Sequence, residues 1–168
     1  QQALGSAGFR QENAETWIRQ NGDELNVVWL QKHSSKPSFC VNLGVHYAFL
    51  PVVGTEIPII GGRIEQPDCE IKLRLTSDPL VKDQWWLIAP ENANEVGQLL
   101  VIRGLPIFDA YRLDGSISVI DPKDVEIGNP NLLSSLTKVR ACLLLARLHE
   151  RCGNREKCIE AATAGIKL

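Results

Sequence analysis

Residues 16–31 read TWIRQNGDELNVVWLQ, and this stretch decides the class of fold. Thr16 to Gln20 is short and rich in β-branched and aromatic side chains, and Asn21-Gly22-Asp23 carries the Asn-Gly signal of a tight hairpin turn. In the return segment, Glu24 to Gln31, alternation sets Leu25, Val27 and Trp29 on one face and Asn26, Val28 and Leu30 on the other. Both faces are largely apolar, which predicts a central strand covered on two sides.

Two further strands follow from the same period. After a polar turn from Lys32 to Ser38, Phe39, Val41, Leu43, Val45 and Tyr47 alternate with Cys40, Asn42, Gly44, His46 and Ala48, predicting one apolar face and one small, polar face. Cys69 to Leu75 points Cys69, Ile71, Leu73 and Leu75 inward, with Glu70, Lys72 and Arg74 toward solvent. Between them Pro51, Gly54, Pro58, Gly61, Gly62 and Pro67 mark a long surface loop. The expected sheet is therefore an antiparallel meander of about four strands between Thr16 and Leu75. Upstream, Gln1 to Phe9 reads as the end of a helix closed by Gly8.

Downstream, Pro90-Glu91 opens a helical segment carrying Val96, Leu99 and Leu100, with Gly97 and Pro106 as weak points. Ser116 to Ile120 reads as a short edge strand and Asp121 to Pro130 as a linker. From Leu132 to Cys152 apolar residues recur at helical spacing, Gly153-Asn154 interrupts them, and Arg155 to Leu168 resumes a helix. The short turn makes the two helices antiparallel, like one tetratricopeptide unit, here expected to cap the sheet. The fold class expected is α+β in a single domain over 1–168, with the sheet and flanking helices in 1–120 and the hairpin cap in 131–168.

With 168 residues, 44% hydrophobic and 23% charged, the chain is long enough to bury an adequate core. A net charge of -2 argues against non-specific nucleic-acid binding, which needs clustered cations to neutralise phosphates. No apolar run approaches the roughly 20 residues that span a bilayer. No signal peptide is visible, and Gln1 in a chain without Met points to a true start further upstream. Five irregularly spaced cysteines suggest no disulfide framework, so a cytoplasmic setting is expected.

Candidate chemistry fails on spacing. Cys40 and His46 share a strand face, but six residues place them about 20 Å apart, too far for a nucleophile and its base. Cys69 reads as a small buried hydrophobe. His149, Cys152 and Cys158 are the nearest approach to a metal signature; Cys142, a possible fourth ligand, lies about 10 Å from His149 along the helix axis. The paired knuckles of structural zinc sites are absent, and helix packing explains these residues better. Gly61-Gly62-Arg63 lacks the lysine and helix start of a phosphate loop. Asp121, Asp124 and Glu126 match no calcium-loop pattern. The expectation is no catalytic residue, no metal and no cofactor.

What remains is interfacial. Gln31 and Lys32 end the central strand, Arg74 sits outward on a neighbour, and Trp85 and Trp86 lie just beyond; Trp and Arg at a sheet rim are enriched in binding hot spots. For the tryptophan pair the competing expectation is that one packs in the core and the other beneath the loop.

The residues also carry a resemblance. Gly8-Phe9-Arg10, Trp17, Val27 to Lys32 (VVWLQK), Phe39 to Val45 (FCVNLGV), Cys69 to Leu75 (CEIKLRL) and Trp85-Trp86 resemble, in this order, the DUF4304 family, a bacterial domain of unknown function, over roughly 8–111. The resemblance implies association with toxin-immunity neighbourhoods. It makes a non-catalytic immunity protein (an antitoxin that occludes a cognate toxin by protein–protein contact) the leading expectation, with the acidic charge suited to a basic toxin surface. A protein partner is expected, and neither nucleic acid nor membrane. The alternative is a small-molecule or enzymatic domain using a cleft between the sheet and the helix after Pro90, lined by Lys32, Asn42, His46 and Arg74.

Overall fold

The computed structural model describes residues 2–52, 55, 64–128 and 130–168, with the side chains of residues 2 and 3 not described. By internal contacts the chain divides into two compact units, Gln1–Phe108 and Asp109–Leu168. Residues 109–130 therefore group with the helical hairpin rather than with the sheet. The glycines and prolines expected to mark a surface loop fall largely at 53–54 and 56–63, outside the described residues.

The first unit is an antiparallel sheet of six strands: β1 (Arg10–Gln11), β2 (Thr16–Asn21), β3 (Glu24–Lys32), β4 (Ser38–Tyr47), β5 (Ile71–Arg74) and β6 (Trp86–Leu87). Their order is β1-β2-β3-β4-β5, with β6 also on β4. That is more than the four strands expected. The additions, β1 and β6, are two residues each, too short to show a period. The β2–β3 hairpin closes between paired Asn21 and Glu24. Gly22 takes φ +60° while no non-glycine residue among those described has positive φ. A positive φ at the first central residue alone is the type II′ pattern, which the strands' right-handed twist favours.

β4 has no free edge over most of its length. One edge pairs with β3 from Phe39 to Tyr47. The other is shared: β5 pairs with Asn42–Val45, the Leu75 amide donates to the Val41 carbonyl at 2.9 Å, and β6 pairs with Ser38 and Phe39. The chain thus leaves β4 after Leu75 and returns to the same edge at Trp86, after ten intervening residues.

Both faces of β4 are also covered, the small, polar face as well as the apolar one. Cys40, Asn42 and His46 are buried along with Val41, Leu43, Val45 and Tyr47. On the face of Val27 and Gly44, residues 64–69 cross the sheet, and Ile64 and Cys69 join Ile18, Leu25 and Val27 in one apolar cluster. A Cβ on Gly44 would lie 2.5 Å from Cys69 Sγ, 3.1 Å from its Cβ and 3.3 Å from Gln66 Cγ, so the crossing requires glycine there. Gln66–Asp68 is a 3₁₀ turn and the strand begins only at Ile71; Glu70, expected in solvent, is buried.

Helices cover the opposite face. α1 (Gln2–Ser6) contributes Leu4; α2 (Pro90–Leu99) contributes Val96, and the turn after it Leu100. Gly97 is accommodated within α2. The helix instead widens into a π turn over Leu100–Gly104 before α3 (Leu105–Ala110). Pro106 has no N–H for the Ile102 carbonyl and its ring would strike that carbonyl in an α-helix, so the widened turn relieves both problems. Arg19 spans this side of the sheet. It donates to Asn26 Oδ1 at 3.0 and 2.9 Å, and its guanidinium lies 4.9 Å from the Phe9 ring and 5.7 Å from the Phe108 ring.

The second unit is helical. The expected edge strand at Ser116–Ile120 is a 3₁₀ turn, Ser116–Val119, and the expected linker contains α4, Pro122–Ile127. Asp121 makes the difference: its side chain caps α4 by accepting from the Lys123 amide at 2.9 Å, with Pro122 at the first helical position. α5 (Lys138–Arg151) and α6 (Arg155–Lys167) are capped in the same way by Thr137 and Asn154. The two helices are in contact, and their buried residues include Ala141, Cys142, Ala161 and Ala164, small enough for close approach. Tyr111 donates to the Leu132 carbonyl at 2.6 Å. His149 is buried, and its Nε2 has no hydrogen-bond partner among the described residues. Burial, reinforced by the Lys157 charge and opposed by Glu160, holds its pKa below the ordinary value.

Gly44→Ala should destabilise the first unit by about 1–3 kcal/mol, and adding Cys69→Ala, which removes the nearest clashing atom, should recover part of that loss in denaturant melts. For the second unit, a histidine whose folded pKa is depressed binds protons more readily when unfolded. Stability should accordingly be full above about pH 6.5 and decline as pH falls below it. His149→Leu should flatten that slope in thermal melts between pH 7 and 5.

Candidate binding site

The register of β3, β4 and β5 decides which of the expected contact residues meet. Gln31 pairs with Cys40, and Asn42 with Arg74, so the four side chains share one sheet face. Lys32, Phe39 and Trp86 belong to the opposite face by the same alternation. The five residues expected to form one surface are therefore split between two.

On the first face Gln31 Oε1 is the hub. It accepts from Asn42 Nδ2 at 3.3 Å, from Arg74 Nη2 at 3.2 Å and from Cys40 Sγ at 3.6 Å. The Arg74 guanidinium is also ion-paired with Asp83 and lies 5.4 Å from the centroid of the Trp85 ring. Trp85 donates its indole N–H to Asp83 Oδ2 at 3.1 Å and meets the His33 ring edge-on at 4.9 Å. Trp85 remains 37% exposed. The cluster thus presents an aromatic ring in a fixed orientation.

The loop between β5 and β6 delivers Asp83 and Trp85. It is braced by Arg103, whose Nη1 donates to the Thr76 and Ser77 carbonyls at 2.7 Å each. Gln84 Oε1 accepts from the Ser77 amide and hydroxyl at 2.6 and 2.9 Å. Sequence reasoning missed Asp83 and His33. No short-range pattern links them to Arg74; only the return of the chain to the β4 edge brings them together.

Within the cluster the Arg74 charge is matched by that of Asp83. Partial desolvation would raise the Asp83 pKa, but hydrogen bonds from Arg74 and Trp85 and the Arg74 charge outweigh it and hold it below the usual carboxylate range. Desolvation pushes the Cys40 thiol up despite Arg74 and Asn42, so it stays protonated at neutral pH and is a poor nucleophile. Burial does the same for Cys69.

On the other face Trp86 is buried beside Phe39, ring centroids 6.1 Å apart, and donates to Glu95 Oε1 at 3.2 Å, tying β6 to α2. Trp86 is the tryptophan that packs inward. Lys32 is ion-paired with Glu15 at 2.7 Å. Beside that pair opens a cleft of about 460 Å³, lined by Leu30, Phe39, Ala14, Ile88, Pro90 and Ala93. This is the place expected for a cleft, but of the four polar residues expected to line it only Lys32 is there. Asn42 and Arg74 are across the sheet, and His46 is fully buried, with Nε2 3.3 Å from the Leu50 carbonyl oxygen. A smaller inner chamber adjoins it; Leu30, Phe39 and Ala93 line both. Trp17 lines the inner chamber, and its buried indole N–H has no acceptor among the described residues. An unmade buried hydrogen bond of this kind costs about 1–3 kcal/mol.

Elsewhere, Cys152 is exposed and Cys158 half-buried, and among the described residues no three His, Cys, Asp or Glu side chains gather as a metal site. No helix of the described residues is long and apolar enough to cross a membrane.

Fold and site together define an α+β protein whose first unit is an antiparallel sheet with an arginine–tryptophan cluster at its rim. The chain belongs to the DUF4304 family, described as a domain of unknown function, which matches residues 1–108. The match ends at Phe108, where the first compact unit also ends. Comparisons with curated proteins and with solved structures found no match.

The geometry of the cluster is testable by NMR titration. Asp83 should titrate below the ordinary carboxylate value of about 3.9, and Arg74→Gln should move it back toward that value. Because its pKa is depressed when folded, the stability Asp83 contributes is present above the unfolded value and lost as pH falls through the folded one. The pair is exposed enough that breaking it should cost less than about 1 kcal/mol.

Proposed function

We propose that the protein is a non-catalytic binding domain that engages a protein partner through the rim formed by Gln31, Arg74 and Trp85. The observation that carries this reading is the half-exposed Trp85 ring, stacked by Arg74 and pinned by Asp83 before any partner arrives. Tryptophan and arginine are the side chains that most often dominate interface energetics. A ring already held in place loses little freedom on binding, so more of its contact energy appears as affinity. The loop that carries it is anchored at both ends by hydrogen bonds.

Within that reading the partner is a cognate toxin and the protein a cytoplasmic immunity protein of bacterial origin that works by occlusion. The association of the family with toxin-immunity neighbourhoods supports this finer assignment. The raised thiol pKa values support a role without nucleophilic catalysis.

A second reading is favoured by one observation: the apolar cleft beside Pro90 has the size of a small-molecule site, for which about 300–1,000 Å³ is typical. On this reading Lys32 and Glu15 sit at its mouth.

Co-expression with the product of the adjacent gene should yield a complex and protect the host. Trp85→Ala should then weaken binding by about 30-fold or more, corresponding to roughly 2 kcal/mol, whereas Lys32→Ala, on the other face, should change it less than fivefold. A chain that captures no neighbour and protects no host, or a complex indifferent to Trp85 and Arg74, contradicts the proposal.

A further inference from the structure

We infer that the cleft and its inner chamber take an uncharged, mostly apolar small molecule carrying one oxygen acceptor at its buried end, hydrogen-bonded to the Trp17 indole N–H. This rests on the small-molecule reading of the cleft and adds the chemistry of the occupant. Three observations lead to it.

The walls come first. Leu30, Phe39 and Ala93 line both chambers, and the inner one is completed by Leu4, Val28, Val96, Gly97 and Leu100 as well as Trp17. None of these side chains carries a charge, so an ionised group would lose its hydration without a counter-ion. The charge at the mouth comes second. Lys32 and Glu15 neutralise one another at 2.7 Å, leaving no net charge to recruit an anion or a cation. Trp17 comes third. It is 8% exposed, and its indole N–H is the polar group of the inner chamber left without an acceptor among the described residues. Indole is a donor only, so the complementary atom is an acceptor, and the apolar surroundings require a neutral one such as a carbonyl oxygen.

Butyrophenone and butylbenzene form a matched probe pair, identical in carbon skeleton and differing in a carbonyl against a methylene. Titrations of the full chain should show butyrophenone binding about fivefold or more tightly than butylbenzene, and should shift the Trp17 indole N–H resonance downfield with butyrophenone alone. Trp17→Phe, which keeps an aromatic ring in the wall but removes the N–H, should abolish the preference, so that both probes bind with the same affinity; its melting curve checks that it folds. Ala93→Trp, filling the wall common to both chambers, should abolish binding of both probes.

If neither probe binds the folded wild-type chain, the small-molecule reading itself falls. If both bind equally and the Trp17 resonance stays in place, the cleft is a ligand site but the assignment of its occupant is overturned.

Discussion

Everything in the first unit hangs on β4, a strand paired along both edges and covered on both faces. Apart from Phe39, which is half-buried, every side chain of this strand is buried, and it forces its neighbours to solve packing problems that set the rest of the structure. Gly44 lets residues 64–69 cross over the sheet where any Cβ would collide with Cys69. β5 and β6 divide the outer edge between them, so the ten residues from Thr76 to Trp85 leave the sheet and return to it. The hydrogen bonds of β4 thereby fix where that loop begins and ends.

The candidate sites follow from this arrangement. Because the loop rejoins the same edge, Asp83 and Trp85 come back against Arg74, which the register places opposite Asn42 and next to Gln31. A guanidinium held by a carboxylate, an amide oxygen and an aromatic face has little freedom left, and the exposed ring beside it is rigid for the same reason. Across the sheet, Trp86 packs on Phe39 and anchors α2 through Glu95, which opens the cleft beside Pro90. Two adjacent tryptophans on an extended segment point to opposite sides, so one supports the fold and the other is presented to solvent.

The sequence revealed what depends on period and local turn chemistry. The β2–β3 hairpin, the doubly buried character of β3, the long alternation of β4 and the two terminal helices were all legible, because each is written in the spacing of apolar residues over six or more positions. Resemblance to the family was legible for the same reason, since its motifs lie in those strands. Two-residue strands carry no period, so β1 and β6 were not. The α4 helix was hidden in a Pro-rich stretch whose decisive residue, Asp121, acts as a cap rather than through hydrophobic spacing. The burial of the polar face of β4 is not written in its own period, because what covers it comes from about twenty residues further along. Of the residues expected to form one surface, Gln31, Arg74 and Trp85 do come together, whereas Lys32 and Trp86 lie on the other face, a separation that only register reveals. Asp83 and His33 needed tertiary structure altogether.

Native-state hydrogen exchange measured amide by amide tests the central role of β4 most directly. If β4 organises the unit, the amides of Val41, Leu43 and Val45 exchange only through global unfolding, while residues 76–85 open at a lower free energy without disturbing them. Exchange of the β4 amides together with the loop, at the same sub-global free energy, would contradict the account.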